Sequence, residues 1–475
     1  MVKLSVEPVT RVEGHGKITV SFDESGALDT VHFNVVEVRG FEKFMEGRYV
    51  EDAPILTPRI CGICQVSHHL ASAKAVDEIY GVKIPETAML LRNLMHQSST
   101  VHSHALHFYA LAAPDLMFPT TDDILKRNLM GMAKEHPEVV KEAIELRKIG
   151  QTIVRVVGGR AIHPCTAVVG GQSISLSETK RDELLKLSDR AVELSEKSIE
   201  IGKKLIENIK NNDLLDIGYF ESYHAGMVND GTHELYDGKI RVCDSKGKTA
   251  YEYNPSEYLN YIAEGVKPYS YLKFPYLKDL GEEEGVYRVN TLSRLNVADR
   301  MATPLAQKYY KEFIEEYGEP CHYPVLFNYA RLIEMLSSAE LTKKLLENDK
   351  IVDTDIKAEP SGDVVGEGVG CVEAPRGTLF HHFKTDDKGV ITDTNLIVAT
   401  TQNNPAMDIG VKKVAEKYIK TPEDATPNIL NYMEMVIRAY DPCLSCATHV
   451  IGDSGGSGLI LETYEENKLI KSVRN

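Results

Sequence analysis

The chain has 475 residues, 43% of them hydrophobic and 26% charged, an ordinary globular composition that excludes disordered and fibrous classes and suffices for a large core. Seventy acidic side chains against 54 basic ones leave a formal charge of -16, which repels phosphate backbones and anionic lipid headgroups; neither nucleic acid nor a membrane surface is an expected partner. No apolar run approaches the ~18 to 20 residues that span a bilayer, and the first 20 residues lack the basic, apolar and small-residue order of a secretory signal, so a soluble cytoplasmic protein is expected.

In chain order, residues 16–38 alternate apolar and polar side chains around a turn at Glu24 to Gly26, which predicts a β-hairpin. Between Pro85 and Ala113, Leu91, Leu94, Val101, Ala105, Phe108 and Ala112 follow helical spacing, with Pro114 expected to end the helix. A second helical block runs from Pro137 to Val157. The longest covers Glu178 to Lys210, where Leu185, Val192, Ile199 and Ile206 recur beside Leu184, Ala191 and Leu205, a wide apolar face that belongs in a bundle. Residues 231–254, with turns at Asp237-Gly238 and Ser245 to Lys248, read as a small peripheral β insertion. A Gly-rich loop (Ser361 to Gly370), a hairpin (Thr378 to Thr401) and a helix (Asn428 to Tyr440) follow. The expected fold class is α+β, mainly α: a central bundle of long helices with peripheral β-hairpins, in a single domain over 1–475.

Four of the eight cysteines form two Cys-x-x-Cys pairs, in RICGICQVSH (Arg59 to His68) and DPCLSCATH (Asp441 to His449). Two such pairs can make a four-sulfur metal site. A zinc ribbon usually closes a loop of ~15 to 20 residues between its pairs, whereas 378 residues lie between Cys64 and Cys443. A thioredoxin-like disulfide needs only one pair, beside a βαβ pattern that is absent. Cys165, Cys243, Cys321 and Cys371 have no partner spacing and read as small hydrophobes. His102, His104 and His107 read as groups that pack and hydrogen-bond within the bundle.

With both cysteine motifs at opposite ends, and with VTRVEGH (Val9 to His15), RGFE (Arg39 to Glu42), HALHFY (His104 to Tyr109) and EAPRG (Glu373 to Gly377) in order between them, the sequence resembles, over nearly its full length, the large catalytic subunit of [NiFe]-hydrogenases. The resemblance implies that Cys61, Cys64, Cys443 and Cys446 ligate nickel, that Cys64 and Cys446 also bridge to iron, and that the iron carries carbon monoxide and two cyanides. It implies that Glu13 takes a proton from the terminal thiolate Cys443, and that Arg376 overhangs the metals, held by Asp115 and Asp441, either as a base or as a fixed positive charge. His68, four residues after Cys64, shares that cysteine's helix face and matches a donor to its bridging sulfur. Glu42, His449 and a backbone carbonyl near Leu396 match the ligands of a magnesium-type ion.

Where periplasmic members have a Val-Pro-Ser-Thr stretch supporting a cyanide, this chain has Val398 to Thr401, with Thr400 as the matching donor. Together with the stretch Gly377 to His382, this resembles the cytoplasmic group, and within it the methyl-viologen-reducing type of methanogens. The function so implied is heterolytic, reversible cleavage of hydrogen. No ferredoxin-like cysteine run is present, so electrons would pass to a small iron-sulfur subunit, then through a further iron-sulfur electron-transfer subunit toward heterodisulfide reductase and ferredoxin. Two alternatives share the fold: the quinone-site subunit of respiratory complex I, defined by loss of the cysteines, and a hydrogen-sensing or non-catalytic metal-binding subunit. In the family an endopeptidase usually cuts after the residue matching His449. Here residues 450–475 form an extension, expected to be retained as a surface hairpin.

Overall fold

The computed structural model describes residues 2–121, 123, 126–360, 364–448, 460–465 and 468–474. Its framework is eight helices: α1 (Gln65–Ile79), α2 (Glu86–Leu106), α3 (Pro137–Gly158), α4 (Glu178–Asn211), α5 (Pro304–Tyr317), α6 (Phe327–Leu346), α7 (Ala399–Tyr418) and α8 (Pro427–Ala439). Helices α2, α3, α4 and α6 pack on one another as the central bundle. The apolar repeat of α4 fills it: Leu184, Ala191, Ile199 and Ile206 are buried, with Leu185 and Val192 half-buried beside them. Ser177 caps that helix by accepting from the Lys180 amide.

Three helices left no periodic signal. Every residue of α1 from Gln65 to Ala73, of α6 from Phe327 to Ala339 and of α7 from Ala399 to Met407 is buried. A helix enclosed on all sides has no polar face, and so no alternation to detect. Pro114 does not end its helix. After α2 the chain widens into a π-helical turn, His107–Ala112, and Pro114 stands in the first turn of the next short helix, Ala113–Met117, where its missing N–H has no intrahelical partner to lose.

The first hairpin forms as Gly16–Phe22 against Leu28–Val35, joined by the edge strand Val2–Val6. The expected peripheral insertion is instead part of a five-stranded sheet. Tyr223–Asn229 lies between Tyr287–Arg288 and Lys239–Cys243, with Met227, Ile240 and Val242 buried. Glu367–Ala374, Gly377–Thr385 and Ile391–Ile397 make an antiparallel sheet whose first strand covers α1. The Gly-rich stretch expected as a loop is therefore strand from Glu367 onward, while 361–363 lie outside the described residues. Its glycines allow close approach: a Cβ on Gly370 would stand 1.8 Å from the Ala71 carbonyl oxygen. The hairpin expected to reach Thr401 stops at Ile397, since Ala399 already begins α7. In the extension, Ile460–Glu465 pairs antiparallel with Lys468–Arg474. No helix among the described residues is long and apolar enough to cross a membrane.

Helices α1 and α2 bury His69, His96, His102 and His104. Burial lowers them from the ordinary 6.5 to about 4, about 4, about 3 and about 4 respectively. Between pH 6.5 and 4 the unfolded chain therefore binds more protons than the folded one, so stability is full above this window and is lost as pH falls through it. The urea midpoint is expected to drop steadily from pH 6.5 to 4.5, each histidine contributing up to ~1.4 kcal/mol per pH unit. A midpoint flat across that window would contradict this account.

Candidate metal centre

The two cysteine pairs meet in the interior. Cys61 Sγ is 3.3 Å from Cys443 Sγ and Cys64 Sγ is 3.3 Å from Cys446 Sγ, the sulfurs of Cys443 and Cys446 touch, and all four lie within 4.8 Å of one another. Cys61 follows the 3-10 turn Thr57–Ile60, and its sulfur accepts the backbone amides of Ile63 and Cys64 at 3.2 and 3.3 Å, donors of the kind that favour a thiolate at a helix start. Hydrogen bonding from Cys64 lowers the Cys61 thiol, and the same bond, with burial, raises Cys64. A disulfide would use two sulfurs. Four converging from opposite chain ends fit a soft metal cation, which takes all of them as thiolates.

The second pair is placed by the end of α8. Its last carbonyls lack intrahelical partners, and a side chain from a different element meets each one. His107 Nε2 lies 2.7 Å from the Arg438 oxygen, Arg331 donates to Ala439 at 3.0 Å, and Asn290 donates to Tyr440 at 2.6 Å. Asp441 then turns the chain in the left-handed region, φ 52, and its carbonyl accepts from Arg376 Nε at 2.7 Å. Beyond it, the Cys443 amide donates to Thr400 Oγ1 at 2.9 Å, in the first turn of α7. Thr400 thus stands beside Cys443 as an acceptor, with its own hydroxyl proton available.

Glu13 reaches the cluster from the N-terminal loop. Its Oε2 lies 3.0 Å from Cys443 Sγ and accepts the Ser445 amide at 3.1 Å, while its carbonyl accepts the Leu444 amide at 2.9 Å. Gly14 permits this closure: its φ is +85, and a Cβ there would stand 2.8 Å from Leu444 Cβ. The loop is tied down by Asp115, which pairs with Arg11 at 2.5 Å and with Arg438, and by Glu434, which accepts the Thr10 amide at 2.6 Å. This corrects the expectation that Asp115 holds Arg376. Among the described residues, Asp115 is engaged by Arg11, Arg438 and Asn431, so it orients the Glu13 loop.

Arg376 is held by Asp441 alone of the two carboxylates, at 3.1 Å from Nη2 to Oδ1. Its Nη1 has no partner among the described protein groups, nor has Asp441 Oδ2. Burial opposes its charge, but Asp441, the Cys64 and Cys61 sulfurs and Glu13 outweigh that and hold Arg376 above its ordinary value. The turn carrying it hangs from a buried ion network: Glu373 pairs with Arg294 at 2.8 Å, and Arg294 also grips Glu334 and the Ala374 carbonyl. Glu334 in turn meets His104 at 2.8 Å and His233 at 2.9 Å. Within the bundle His104 and His107 are hydrogen-bonded, whereas neither ring nitrogen of His102 has a partner among the described protein groups.

His68 lies on α1, yet its Nδ1 meets His381 Nε2 at 2.9 Å; no hydrogen bond joins its ring to the Cys64 sulfur among the described residues. Glu42 accepts the Leu396 amide at 2.9 Å and has Lys273 Nζ at 3.8 Å, itself 3.0 Å from Glu264. Burial raises the Glu42 carboxyl, and Lys273 opposes this. His449 lies outside the described residues. Thr448, just before it, has its carbonyl on the Arg39 and Gly40 amides, while Arg39 Nη1 donates to Ile60 at 2.7 Å, so the stretch before Glu42 ties both cysteine motifs together. Lys273, Glu264, His381, Arg294, Arg331 and Asn290 carried no spacing signal in the sequence; the tertiary fold alone brings them here.

A family model described as nickel-dependent hydrogenase matches residues 39–126 and 209–449, and one described as HoxL-like matches 3–38. The chain is 69% identical over 475 residues to a vhc-type F420-non-reducing hydrogenase subunit of Methanococcus voltae, covering 100% of both. It is 49% identical to an F420-non-reducing hydrogenase subunit of Methanothermobacter thermautotrophicus, again over 100% of both chains. A crystal structure of an NAD+-reducing [NiFe]-hydrogenase in the H2-reduced state superposes with a TM-score of 0.90 at 38% identity, covering 94% of this chain and 100% of that one.

Replacing Cys443 with Ser removes one of the four sulfurs without touching the bundle. Bound nickel is expected to fall below about a tenth of the wild-type content, with hydrogen turnover lost and helix content by circular dichroism unchanged. Full activity in a nickel-free variant would refute the ligand assignment.

Proposed function

The chain belongs to the nickel-dependent hydrogenase family, as a catalytic large subunit, and from that premise we propose the roles of its residues and partners. The four buried sulfurs converging beside Glu13 carry the reading. Cys61, Cys64, Cys443 and Cys446 would hold a nickel-iron centre, Cys64 and Cys446 serving as ligands to both metals. Carbon monoxide and two cyanides would complete its iron, and Thr400, next to Cys443, would supply a hydrogen bond to the centre. When bound, this centre supplies the heterolytic activation of hydrogen.

The protein's own part is proton handling and charge. Cys443 Sγ passes a proton to Glu13 Oε2, 3.0 Å away. Toward solvent stand Ser445, whose amide donates to Glu13 and whose hydroxyl donates to Glu37 at 3.4 Å, and an exposed His15, whose Nδ1 meets the other Glu37 oxygen; water between Glu13 and these groups would carry the proton outward. Arg376 remains protonated and acts as a fixed positive charge over the sulfurs, the second role left open by the sequence; its elevated affinity for the proton speaks against a base. Glu42 and the Leu396 carbonyl, beside Lys273, would hold a magnesium-type cation; the third ligand of that reading, His449, lies outside the described residues.

The relatives belong to multisubunit hydrogenases, and a small iron-sulfur partner takes the electrons. Its docking face is the surface just before the first cysteine motif, where Arg39, Phe41, Phe44, Leu56 and Arg59 line a groove and Val36, Val38, Tyr49 and Ile55 are exposed. Likeness to the methanogen enzymes extends the route, through a further iron-sulfur subunit, to heterodisulfide reductase and ferredoxin in the cytoplasm.

Infrared spectra of the anaerobically purified complex are expected to show stretching bands of iron-bound carbon monoxide and cyanide; a fully loaded protein without them would return the four sulfurs to a zinc site. In Glu13→Gln, which keeps shape and hydrogen bonding, those bands persist while hydrogen–deuterium exchange falls ~100-fold or more. Exchange at the normal rate would move the proton route away from Glu13.

A further inference from the structure

Arg92, Arg288, Arg294, Arg331 and Arg438 are fully buried, and a guanidinium taken out of water is costly unless an opposite charge meets it. Four of them have one. Arg92 pairs with Asp77 at 2.5 Å, Arg294 with Glu334 and Glu373, and Arg438 with Asp115 and Glu434, while the Asp441 and Glu334 carboxylates support the charge of Arg331. Among the described residues Arg288 has no carboxylate in either way.

On the strand Tyr287–Arg288, Arg288 Nη1 donates to the His322 carbonyl at 2.8 Å and Nη2 to the Phe220 carbonyl, and the Phe220 ring covers the guanidinium at 4.0 Å from Cζ to centroid. Its Nε has no partner among the described protein groups. The groups that favour its charge are Tyr440, then Cys321 and Tyr219, and none is an anion at neutral pH: burial raises the Tyr440 and Tyr219 hydroxyls and pushes the Cys321 thiol up to about 11. His224 and His322, 3.0 Å apart through Nε2 and Nδ1, bring no negative charge, and Arg288 adds to burial in lowering both. Glu221, which acts on His322, is exposed and pairs with Lys246 at 3.0 Å. Burial lowers Arg288 as well, but a guanidinium keeps its proton. Carbonyl dipoles solvate that charge without neutralising it.

Tyr440 marks the same place independently. It is buried, its hydroxyl has no partner among the described protein groups, and Arg288 is the charge that acts on it. We propose that Arg288 Nε and the Tyr440 hydroxyl together bind a small monovalent inorganic anion of the halide class. One negative charge matches one guanidinium, whereas a divalent oxyanion brings more charge than this site offsets and more oxygens than two donors satisfy. The anion neutralises the buried arginine and ties its strand to Tyr440, whose carbonyl Asn290 already holds, three residues ahead of Cys443. The inference stands apart from the metal reading and holds with the sulfur cluster loaded or empty.

Crystals of the complete enzyme soaked in sodium bromide, with diffraction recorded at the bromine absorption edge, read the site directly. An anomalous peak within hydrogen-bonding range of Arg288 Nε and Tyr440 Oη is expected; a water there, or a carboxylate of the chain itself, overturns the proposal. In solution at constant ionic strength, replacing gluconate with chloride is expected to raise the melting midpoint by roughly 1 °C per tenfold concentration above half-saturation. Arg288→Met abolishes that dependence, and Tyr440→Phe, which leaves the guanidinium in place, weakens it and lowers bromide occupancy. A bromide peak with a midpoint indifferent to chloride means binding at crystal concentration only and overturns the proposal, as does an Arg288→Met midpoint that follows chloride like the wild type.

Discussion

Four sulfurs that belong to one site stand 382 residues apart in sequence, pair by pair, and they must meet where water does not reach. Most of the fold around them answers that demand. The N-terminus of α1 supplies one pair on a helix start, where amide donors already point at a sulfur. The other pair comes from the end of α8, which has no such support of its own. Its carbonyls from Arg438 to Asp441 are instead each matched to a side chain from another part of the chain: His107, Arg331, Asn290 and Arg376. The Arg438 oxygen also takes the Asp441 amide at 2.9 Å, but without their side-chain partners the Ala439, Tyr440 and Asp441 oxygens would be orphan acceptors at a cost of about 1 to 3 kcal/mol each, so the position of Cys443 is specified by several distant elements at once.

The same logic accounts for the buried ions. Arg294, Glu334 and Glu373 are fully enclosed, and taking such charges out of water is expensive unless every hydrogen-bonding position is met. Here they are met closely: Arg294 grips both carboxylates, Glu334 receives His104 and His233, and Glu373 also accepts Thr378 and the Met227 amide. An apolar core of equal volume would hold the bundle together as well. What it would not do is fix the EAPRG turn in one orientation, and that orientation aims Arg376 at Asp441 and the sulfurs.

The sequence disclosed the parts that repeat or cluster locally. The α4 face was legible because half of it meets solvent, and the first hairpin because its strands alternate. The cysteine motifs, Glu13 and Arg376 were legible as a resemblance, since short motifs in fixed order carry chemistry that no periodicity encodes. Helices α1, α6 and α7 were not legible, because burial on all sides removes the polar contrast. Asp115 illustrates a different limit: it was assigned to the right neighbourhood but to the wrong arginine, since Arg11 and Arg438 compete for the same carboxylate and reach it first. Lys273 had no local mark at all, and His381 lay in a stretch read only as a group likeness, with no role of its own.

The two sides of the sulfur cluster are built unlike each other, and the difference gives the site a direction. On one side Arg376 is sealed, tethered to Asp441, and held above its ordinary value by the surrounding negative groups against the cost of burial. On the other side Glu13 is only half-buried, carried on a loop, and followed outward by Glu37 and an exposed His15. On the proposed reading, a fixed charge opposite a proton-accepting carboxylate makes proton departure one-sided. The same reading leaves the face before the first cysteine motif, with its exposed apolar side chains, for the electron-accepting partner. Under that proposal protons and electrons released at one buried point take separate exits, and the ties from Asp115 to Arg11 and from Glu434 to Thr10 fix the loop that carries Glu13 on the proton side.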